Sequence, residues 1–283
     1  MESKMSFTTH NQVSLPNFIY GTAWKKNQTT SLVELAVQSG FKAIDTANQL
    51  IHYDEALVGD ALKKLYSEGV TRDDLFLQTK FTPADGQDHR TPYDRKANVG
   101  TQVKQSMDSS LSHLHCENVD SYVLHGPYSR RGLTDSDWEV WTTMEELHQV
   151  GKTRIIGISN VMADQLDELC ANAKVKPMVV QNRCYAIRGW DSDVREICRR
   201  ENIIYQGFSL LTANTGVMSH PFVRSVATRL GATPAQVIFR FSMQVGMLPL
   251  TGTTNAQHMK EDLASESFAL TAEEVKTIET IAV

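Results

Sequence analysis

The chain has 283 residues, of which 41% are hydrophobic, and its formal net charge is −5. This is enough apolar material for a large core, and a barrel of about 250 residues can be one domain. The negative charge without a basic block argues against nucleic acid and membrane partners. No apolar stretch reaches the roughly 18 residues of a membrane helix, and residues 1–12 lack the core of a signal peptide, so we expect a cytoplasmic protein.

Short apolar runs alternate with helical patterns along the whole chain. In 29–40 and 101–116, apolar residues recur at helical spacing; Gly40 fits a helix end, and Thr233 before Pro234 fits a helix start. Strands that alternate with helices predict a parallel sheet, and eight such units predict a single (β/α)8 TIM barrel over residues 1–283. The predicted strands are 17–23, 42–46, 75–80, 119–125, 153–159, 178–182, 203–209 and 247–252.

Polar side chains end most of these predicted strands. They are Asp45, Lys80, His125, Ser159 with Asn160, Gln181, Ser209 and Thr251. In a barrel the carboxyl ends of the strands converge on one mouth, where active sites lie. Two long loops, 82–98 and 210–222, leave the same face, and long loops in compact domains are usually binding loops or lids. The sequence therefore predicts a site at this mouth.

The run HLHC at 113–116 contains metal-binding residue types. On a helix, however, residues two apart do not share a face, so we expect no metal site there. The four cysteines show no CxxC pairing and are interpreted as buried free thiols of a reducing compartment.

Seven motifs occur in one order along the chain. They are GTAW (21–24), DTA with HYDEALVGDAL (45–62), LFLQTK (75–80), VDSYVLHGP (119–127), GKTRIIGISN (151–160), VVQN (179–182) and GTTNAQHMKEDL (252–263). Together they resemble the aldo-keto reductase superfamily, over about residues 14–263. The resemblance implies a (β/α)8 barrel that reduces an aldehyde or ketone to an alcohol with a nicotinamide cofactor.

The resemblance also implies a catalytic tetrad of Asp45, Tyr53, Lys80 and His125. Hydride addition to a carbonyl leaves an alkoxide, which needs a positioned acid such as the tyrosine. A neighbouring lysine is expected to lower the tyrosine pKa from about 10, and the aspartate to pair with the lysine. The histidine would donate a hydrogen bond to the carbonyl oxygen.

The tyrosine is where the sequence departs from the family pattern. The usual motif places it five residues after the aspartate, where this chain has Leu50. Measured back from EALVG, the usual spacing falls on His52, and Tyr53 lies one residue further. His52 is a competing acid, since the unperturbed histidine pKa is near 6.5. We favour Tyr53 and leave open that neither residue is positioned.

The cofactor contacts implied by the resemblance lie on the later strands. Ser159, Asn160 and Gln181 would bind the nicotinamide carboxamide, and Phe208 would stack on the ring. The further positions are Thr22, Ser209, Thr251, Gly252, Thr253, Thr254, His258, Glu261 and Asp262. Backbone amides at 252–254 would hold phosphate. NADPH-specific relatives carry Lys and Arg where this chain has Gly252 and His258, which weakens the case for strict NADPH use. We expect NADPH and leave NADH open.

Trp24, His52, Trp190 and the two long loops are the expected contacts for a small carbonyl substrate. We expect a monomer. The altered tyrosine loop also leaves a second hypothesis open. A nicotinamide-binding barrel can serve as a non-reducing biosynthetic enzyme or as a regulatory subunit, as in the potassium-channel β subunits that resemble this family.

Overall fold

Eight parallel strands close into a barrel at the centre of the computed structural model, which describes residues 7–282. Every predicted strand is present, and the predicted (β/α)8 fold is confirmed. The strands follow the chain order around the barrel, and the last pairs with the first to close it. They are β3 (Ile19–Gly21), β4 (Ala43–Asp45), β5 (Phe76–Phe81), β6 (Val119–Leu124), β7 (Thr153–Ser159), β8 (Val179–Arg183), β9 (Ile204–Phe208) and β10 (Met247–Thr251).

Each barrel strand is followed by at least one helix. The helices are α1 (Thr29–Ser39), α2 (Glu55–Ser67), α3 (Val99–His113), α4 (Asp135–Gln149), α5 (Ala163–Asn172), α6 (Ser192–Glu201), α7 (Thr215–Ser219), α8 (Pro221–Leu230), α9 (Pro234–Gln244), α10 (Ala256–Ala264) and α11 (Ala272–Thr280). Two of them, α7 and α8, belong to the long connection after β9, and α11 follows the barrel. Across residues 7–282, no helix has the length and apolar character needed to cross a membrane.

The local signals in the sequence fix several helix boundaries. Gly40 follows α1 with φ of 114°, a left-handed conformation that glycine adopts without steric cost. The Thr233 hydroxyl accepts a hydrogen bond from the Gln236 amide at the start of α9, and Pro234 is the first helical residue. These boundaries are as predicted. The helix predicted over 101–116 is α3, which begins after its cap Asn98 and ends at His113.

A short antiparallel hairpin precedes the barrel and was not predicted. It pairs β1 (Phe7–Thr8) with β2 (Ser14–Leu15). The Asn11 side chain donates to the Arg154 carbonyl at the start of β7, 3.1 Å away, so the hairpin lies at the end of the barrel opposite the mouth. Residues 1–6 of the stretch considered for a signal peptide lie outside the described residues.

The strand register brings the polar strand ends together. Asp45 pairs with Gln78 between β4 and β5, and Ser159 pairs with Gln181 between β7 and β8. Side chains two residues apart on a strand share a face, so Gln78 and Lys80 both point into the barrel. The barrel interior therefore carries polar groups toward the carboxyl ends of the strands, at the mouth, and apolar packing toward the opposite end.

Candidate active site

A buried ion pair lies at the top of the barrel. The Lys80 ammonium is 2.6 and 2.7 Å from the two carboxylate oxygens of Asp45, and it also donates to the Thr46 carbonyl at 2.8 Å. The Lys80 and Asp45 side chains are 0% and 3% exposed. Burial lowers the pKa of Lys80, and the Asp45 charge opposes that shift. The pair is therefore held in one geometry with its ammonium saturated by oxygen acceptors.

Three glutamines support this ion pair from inside the barrel. Gln78 and Gln181 each donate to Asp45 Oδ1, at 2.7 and 3.1 Å. Gln78 and Gln206 exchange amide hydrogen bonds of 2.8 and 3.0 Å, and Gln181 also donates to Gln206 at 2.9 Å. All three are nearly or fully buried. A buried amide network of this kind fixes Asp45 because every donor has a partner. Gln78 and Gln206 were not singled out in the sequence.

The loop between β4 and α2 carries Tyr53 and is held at several points. The Asn48 side chain donates to the Ser106 carbonyl and the Ser110 hydroxyl of α3, each at 3.2 Å. Gln87 of the long 82–98 loop donates to the Asn48 carbonyl at 2.8 Å. Within the loop, the Tyr53 amide donates to the Gln49 carbonyl at 3.0 Å. The loop is thus folded back on itself and clamped from α3 and from the 82–98 loop.

This loop conformation brings Tyr53 into the site and turns His52 aside. Lys80 Nζ lies 5.1 Å from the centre of the Tyr53 ring, and the His125 ring meets the same ring edge-on at 5.8 Å. The His52 ring instead packs on Trp24, with 4.1 Å between ring centres. Burial lowers the pKa of His52. Tyr53, Lys80 and His125 therefore form one cluster, with His52 at its rim.

The electrostatics of Tyr53 differ from the expectation. Burial raises the pKa of Tyr53, and the charge of Asp45 raises it further. The expected net lowering of the Tyr53 pKa is therefore wrong for this arrangement. The Lys80 ammonium is paired with both Asp45 oxygens at hydrogen-bond distance, so that the Asp45 charge offsets part of the attraction between Lys80 and a phenolate.

His125 is oriented by a residue that the sequence reasoning missed. Its Nδ1 lies 2.7 Å from the Thr82 hydroxyl, and Thr82 is 3% exposed. When that hydroxyl donates to Nδ1, the proton of the neutral ring is on Nε2, where it can be donated to a ligand. Tyr93 of the 82–98 loop in turn donates to the Thr82 carbonyl at 2.8 Å. Part of this loop therefore braces the histidine.

We expect His125 to remain neutral over the whole working range of the protein. Burial, with the nearby Lys80 and His52, lowers the pKa of His125 to about 3. Because the charged form exists only near and below that value, His125 should contribute no inflection to the pH profile of kcat/KM between about pH 5 and 8. The profile of His125→Gln should then match the wild-type shape at a lower rate. An inflection present in the wild type and lost in the variant would contradict this.

The three residues predicted to bind a carboxamide lie side by side. The Ser159 hydroxyl donates to the Gln181 carbonyl at 2.6 Å, and Asn160 Nδ2 donates to the His125 carbonyl at 2.8 Å. Both amide hydrogens of Gln181 are used within the glutamine network. No donor among residues 7–282 is hydrogen-bonded to Gln181 Oε1 or Asn160 Oδ1, so these two acceptors suit the amide hydrogens of a nicotinamide.

Phe208 and Ser209 end β9 at the rim of the mouth. Phe208 is half-buried and leaves part of its ring open. Ser209 has φ of 57°, and its carbonyl accepts from the Ala213 amide at 3.0 Å as the chain turns into the 210–222 loop. Asn214 then donates to the carbonyls of Cys184 and Leu210, each at 2.9 Å. This loop is packed onto the barrel next to the aromatic ring.

Residues 252–258, which follow β10, form an exposed segment at the rim of the barrel, here named the lip; the predicted adenosine site requires such exposure. Gly252, Thr254 and His258 are exposed, and the lip leads into α10. A lysine from the opposite end of the chain reaches it: Lys25 Nζ donates to the Gly252 carbonyl. Lys25 is 9% exposed, and burial lowers its pKa. Tyr20 supports the same lip, since its hydroxyl donates to the Thr253 carbonyl at 3.0 Å. Nothing in the sequence singled out Lys25.

Thr22, Thr251 and Asp262 use their side-chain oxygens inside the protein. Thr22 is fully buried and donates to the Asp45 carbonyl at 2.9 Å. The Thr251 hydroxyl donates to Asp262 Oδ2 at 2.9 Å, and burial raises the pKa of Asp262 to about 7. These contacts brace the ends of β3 and β10; direct contact with a cofactor stays a prediction. Glu261 is half-buried and accepts from Gln257 at 2.9 Å.

The two predicted substrate tryptophans have different environments. Trp24 is 64% exposed beside His52 at the mouth, where it can meet a ligand. Trp190 is 0% exposed; its ring packs on Phe241 at 4.9 Å, and its indole N–H donates to the Ile278 carbonyl of α11. The prediction that Trp190 contacts substrate is wrong, because α9 and α11 cover the ring completely.

Known proteins resemble this chain over nearly its whole length. A family model described as the aldo/keto reductase family matches residues 15–283. The chain is 27% identical to the 9,11-endoperoxide prostaglandin H2 reductase of Trypanosoma cruzi, over 97% of this chain and 90% of that protein. It is 28% identical to the NADPH-dependent codeinone reductase 1-4 of Papaver somniferum, over 97% and 88%.

Solved structures share the fold. The Bombyx mori aldo-keto reductase in complex with NADP superposes with a TM-score of 0.83 at 22% identity, covering 99% of this chain and 93% of that one. The family model matches nearly the whole sequence, and the barrel with its polar strand ends is consistent with that match. The chain therefore belongs to the aldo/keto reductase family and is an NAD(P)-dependent oxidoreductase.

Proposed function

We propose that this protein reduces an aldehyde or ketone to the corresponding alcohol, with Tyr53 as proton donor and NADPH as reductant. The observation that carries the proposal is the cluster of Tyr53, Lys80 and His125 at the barrel mouth. The centre of the Tyr53 ring lies 5.1 Å from Lys80 Nζ and 5.8 Å from the centre of the His125 ring. The NADPH-dependent relative from Papaver somniferum supports the choice of cofactor.

The bound cofactor would supply the hydride. His125 then donates from Nε2 to the carbonyl oxygen of the substrate, orienting it and stabilising the charge that develops there. Tyr53 delivers its proton to that oxygen. The transfer is favourable although burial raises the pKa of the phenol, because an alkoxide is a stronger base than a phenolate. Lys80 stabilises the phenolate that remains, and Asp45 keeps Lys80 in place.

The residues present suit a nicotinamide dinucleotide. Gln181 and Asn160 each have a free acceptor that would suit a carboxamide, Phe208 would offer a ring face for stacking, and the exposed lip at 252–258 would suit the adenosine end. An extended crevice at the carboxyl ends of barrel strands is where such ligands bind.

Lys25 should give the lip a preference for NADPH. A Cβ at Gly252 would lie 3.3 Å from Lys25 Nζ, so the ammonium occupies the space where a lysine at 252 would begin. We expect Lys25→Met to weaken NADPH binding about tenfold and NADH binding much less, since only NADPH carries the 2′-phosphate. Fluorescence titration with each dinucleotide measures both constants. Equal losses for the two cofactors would remove Lys25 from 2′-phosphate recognition.

The proposed activity is tested by mixing the protein with NADPH and an activated aldehyde such as a nitrobenzaldehyde. Loss of the near-ultraviolet absorbance of NADPH, with formation of the nitrobenzyl alcohol, is the expected result. Dinucleotide binding without turnover across a panel of aldehydes and ketones would instead favour the alternative of a binding or regulatory barrel. A heat-denatured sample and a reaction without aldehyde serve as controls.

A further inference from the structure

Arg183 lies at the barrel mouth, beside residues that are predicted to bind the cofactor. It is the last residue of β8 and pairs in register with Phe208 on β9. Its guanidinium carbon lies 6.0 Å from the centre of the Phe208 ring, and its Nε donates to the Ser209 hydroxyl at 3.2 Å. Because side chains on a strand alternate, Arg183 shares the inward face with Gln181, one step nearer the opening. Arg183 thus lies nearer the opening than Gln181 and beside Phe208, and both of these residues are predicted to bind the nicotinamide.

The positive charge of Arg183 has no carboxylate partner among residues 7–282. Several other arginines are paired, for example Arg195 with Glu279 at 2.6 Å and Arg154 with Asp120 at 2.9 Å. Arg183 is exposed, and its Nη2 makes no hydrogen bond within the described part of the chain. In a protein with a net charge of −5, this leaves an unneutralised cation at the mouth.

Aromatic contacts hold Arg183 without neutralising it. Its guanidinium carbon is 5.9 Å from the centre of the Tyr185 ring, and its Nη1 donates weakly to the Tyr185 hydroxyl at 3.4 Å. Arg188 lies over the same ring at 5.4 Å. Cation–π contacts orient a guanidinium while leaving its hydrogen-bonding edge available. The Nη2 group of Arg183 is therefore a donor that has no acceptor among residues 7–282.

We propose that Arg183 binds a phosphate group of the cofactor diphosphate, an inference that rests on the proposed function. In a nicotinamide dinucleotide, one ribose separates the nicotinamide ring from the first phosphate. A ring stacked on Phe208 therefore brings that phosphate close to a guanidinium that touches both Phe208 and Ser209. The planar fork of arginine matches the phosphate oxygens in a bidentate manner.

Arg183 could bind a carboxylate or phosphate on the substrate through the same kind of contact. The position of Arg183 favours the cofactor. Tyr53 follows β4, and in the strand order β8 lies directly across the barrel from β4. Arg183 thus faces the stacking and hydroxyl groups of β9, on the side away from the proton donor.

The test is dinucleotide binding in the absence of substrate, measured by fluorescence titration at low and high NaCl. Arg183→Met should raise the Kd of NADPH and of NADH alike, by about tenfold at low salt, because both carry the diphosphate. The Kd of the variant should also depend less on NaCl, since one charged contact is gone. Arg183→Lys should fall between the two proteins. Arg188→Met is the matched control: it removes the same charge from the same tyrosine and should change the Kd by less than about twofold.

Unchanged dinucleotide Kd values and an unchanged salt dependence in Arg183→Met overturn the inference. It is also overturned, in favour of a substrate anion, if the Kd values stay unchanged while turnover of 4-carboxybenzaldehyde falls and that of benzaldehyde does not. A wild-type protein that binds neither dinucleotide refutes the proposed function instead, which separates the two failures. Thermal melting of each variant confirms that the fold is intact.

Discussion

Replacing Tyr53 by phenylalanine is expected to reduce kcat for aldehyde reduction by about 10²- to 10⁴-fold, the range that a positioned general acid contributes. The ring would remain against His125 and over Lys80, because neither contact uses the hydroxyl. The Kd of NADPH should therefore change little. Steady-state kinetics with a nitrobenzaldehyde, together with a dinucleotide titration, measures the two effects separately.

His52→Ala is the matched comparison for this variant. His52 packs on exposed Trp24 at the rim, so its loss should change KM more than kcat. If His52→Ala lost the larger share of kcat and Tyr53→Phe kept wild-type turnover, the proton donor would be His52. A loss of NADPH binding in Tyr53→Phe would mean that the ring has moved, and would leave its hydroxyl unassigned.

The strand ends could be predicted from the sequence because they depend on local patterns. Alternating strands and helices specify the barrel, and the barrel specifies that Asp45, Lys80 and His125 meet. The same two-residue period would also have placed Gln78 beside Lys80 on the inner face, had it been applied to LFLQTK. The glutamine network was therefore within reach of the sequence.

The loop residues could not be predicted in this way, because distant segments determine their conformation. Contacts from α3 and from the 82–98 loop decide whether Tyr53 or His52 turns inward. The position of Lys25 depends on its contact with the lip after β10, more than 200 residues later in the chain. The lip lies beside β3 only when the barrel closes through the pairing of β10 with β3. Trp190 was misjudged for the same reason, because helices far along the chain bury it.

Lys80→Met is expected to abolish measurable turnover and also to lower the free energy of unfolding by about 3–5 kcal/mol. The stability loss has a specific cause, since the substitution leaves the Asp45 carboxylate buried without its cation. Asparagine at 45 keeps an Oδ1 acceptor for Gln78 and Gln181 while removing the charge. The double variant Asp45→Asn/Lys80→Met should therefore recover most of the lost stability and none of the activity.

Denaturant unfolding and steady-state kinetics on the two single variants and the double variant separate these contributions. If the losses in the free energy of unfolding of the two single variants add up to the loss in the double variant, the two side chains do not interact in solution. Recovery of turnover in the double variant would show that Lys80 affects the reaction only through stability. With stability restored and turnover absent, the ammonium itself is what allows the Tyr53 phenol to lose its proton in the reaction.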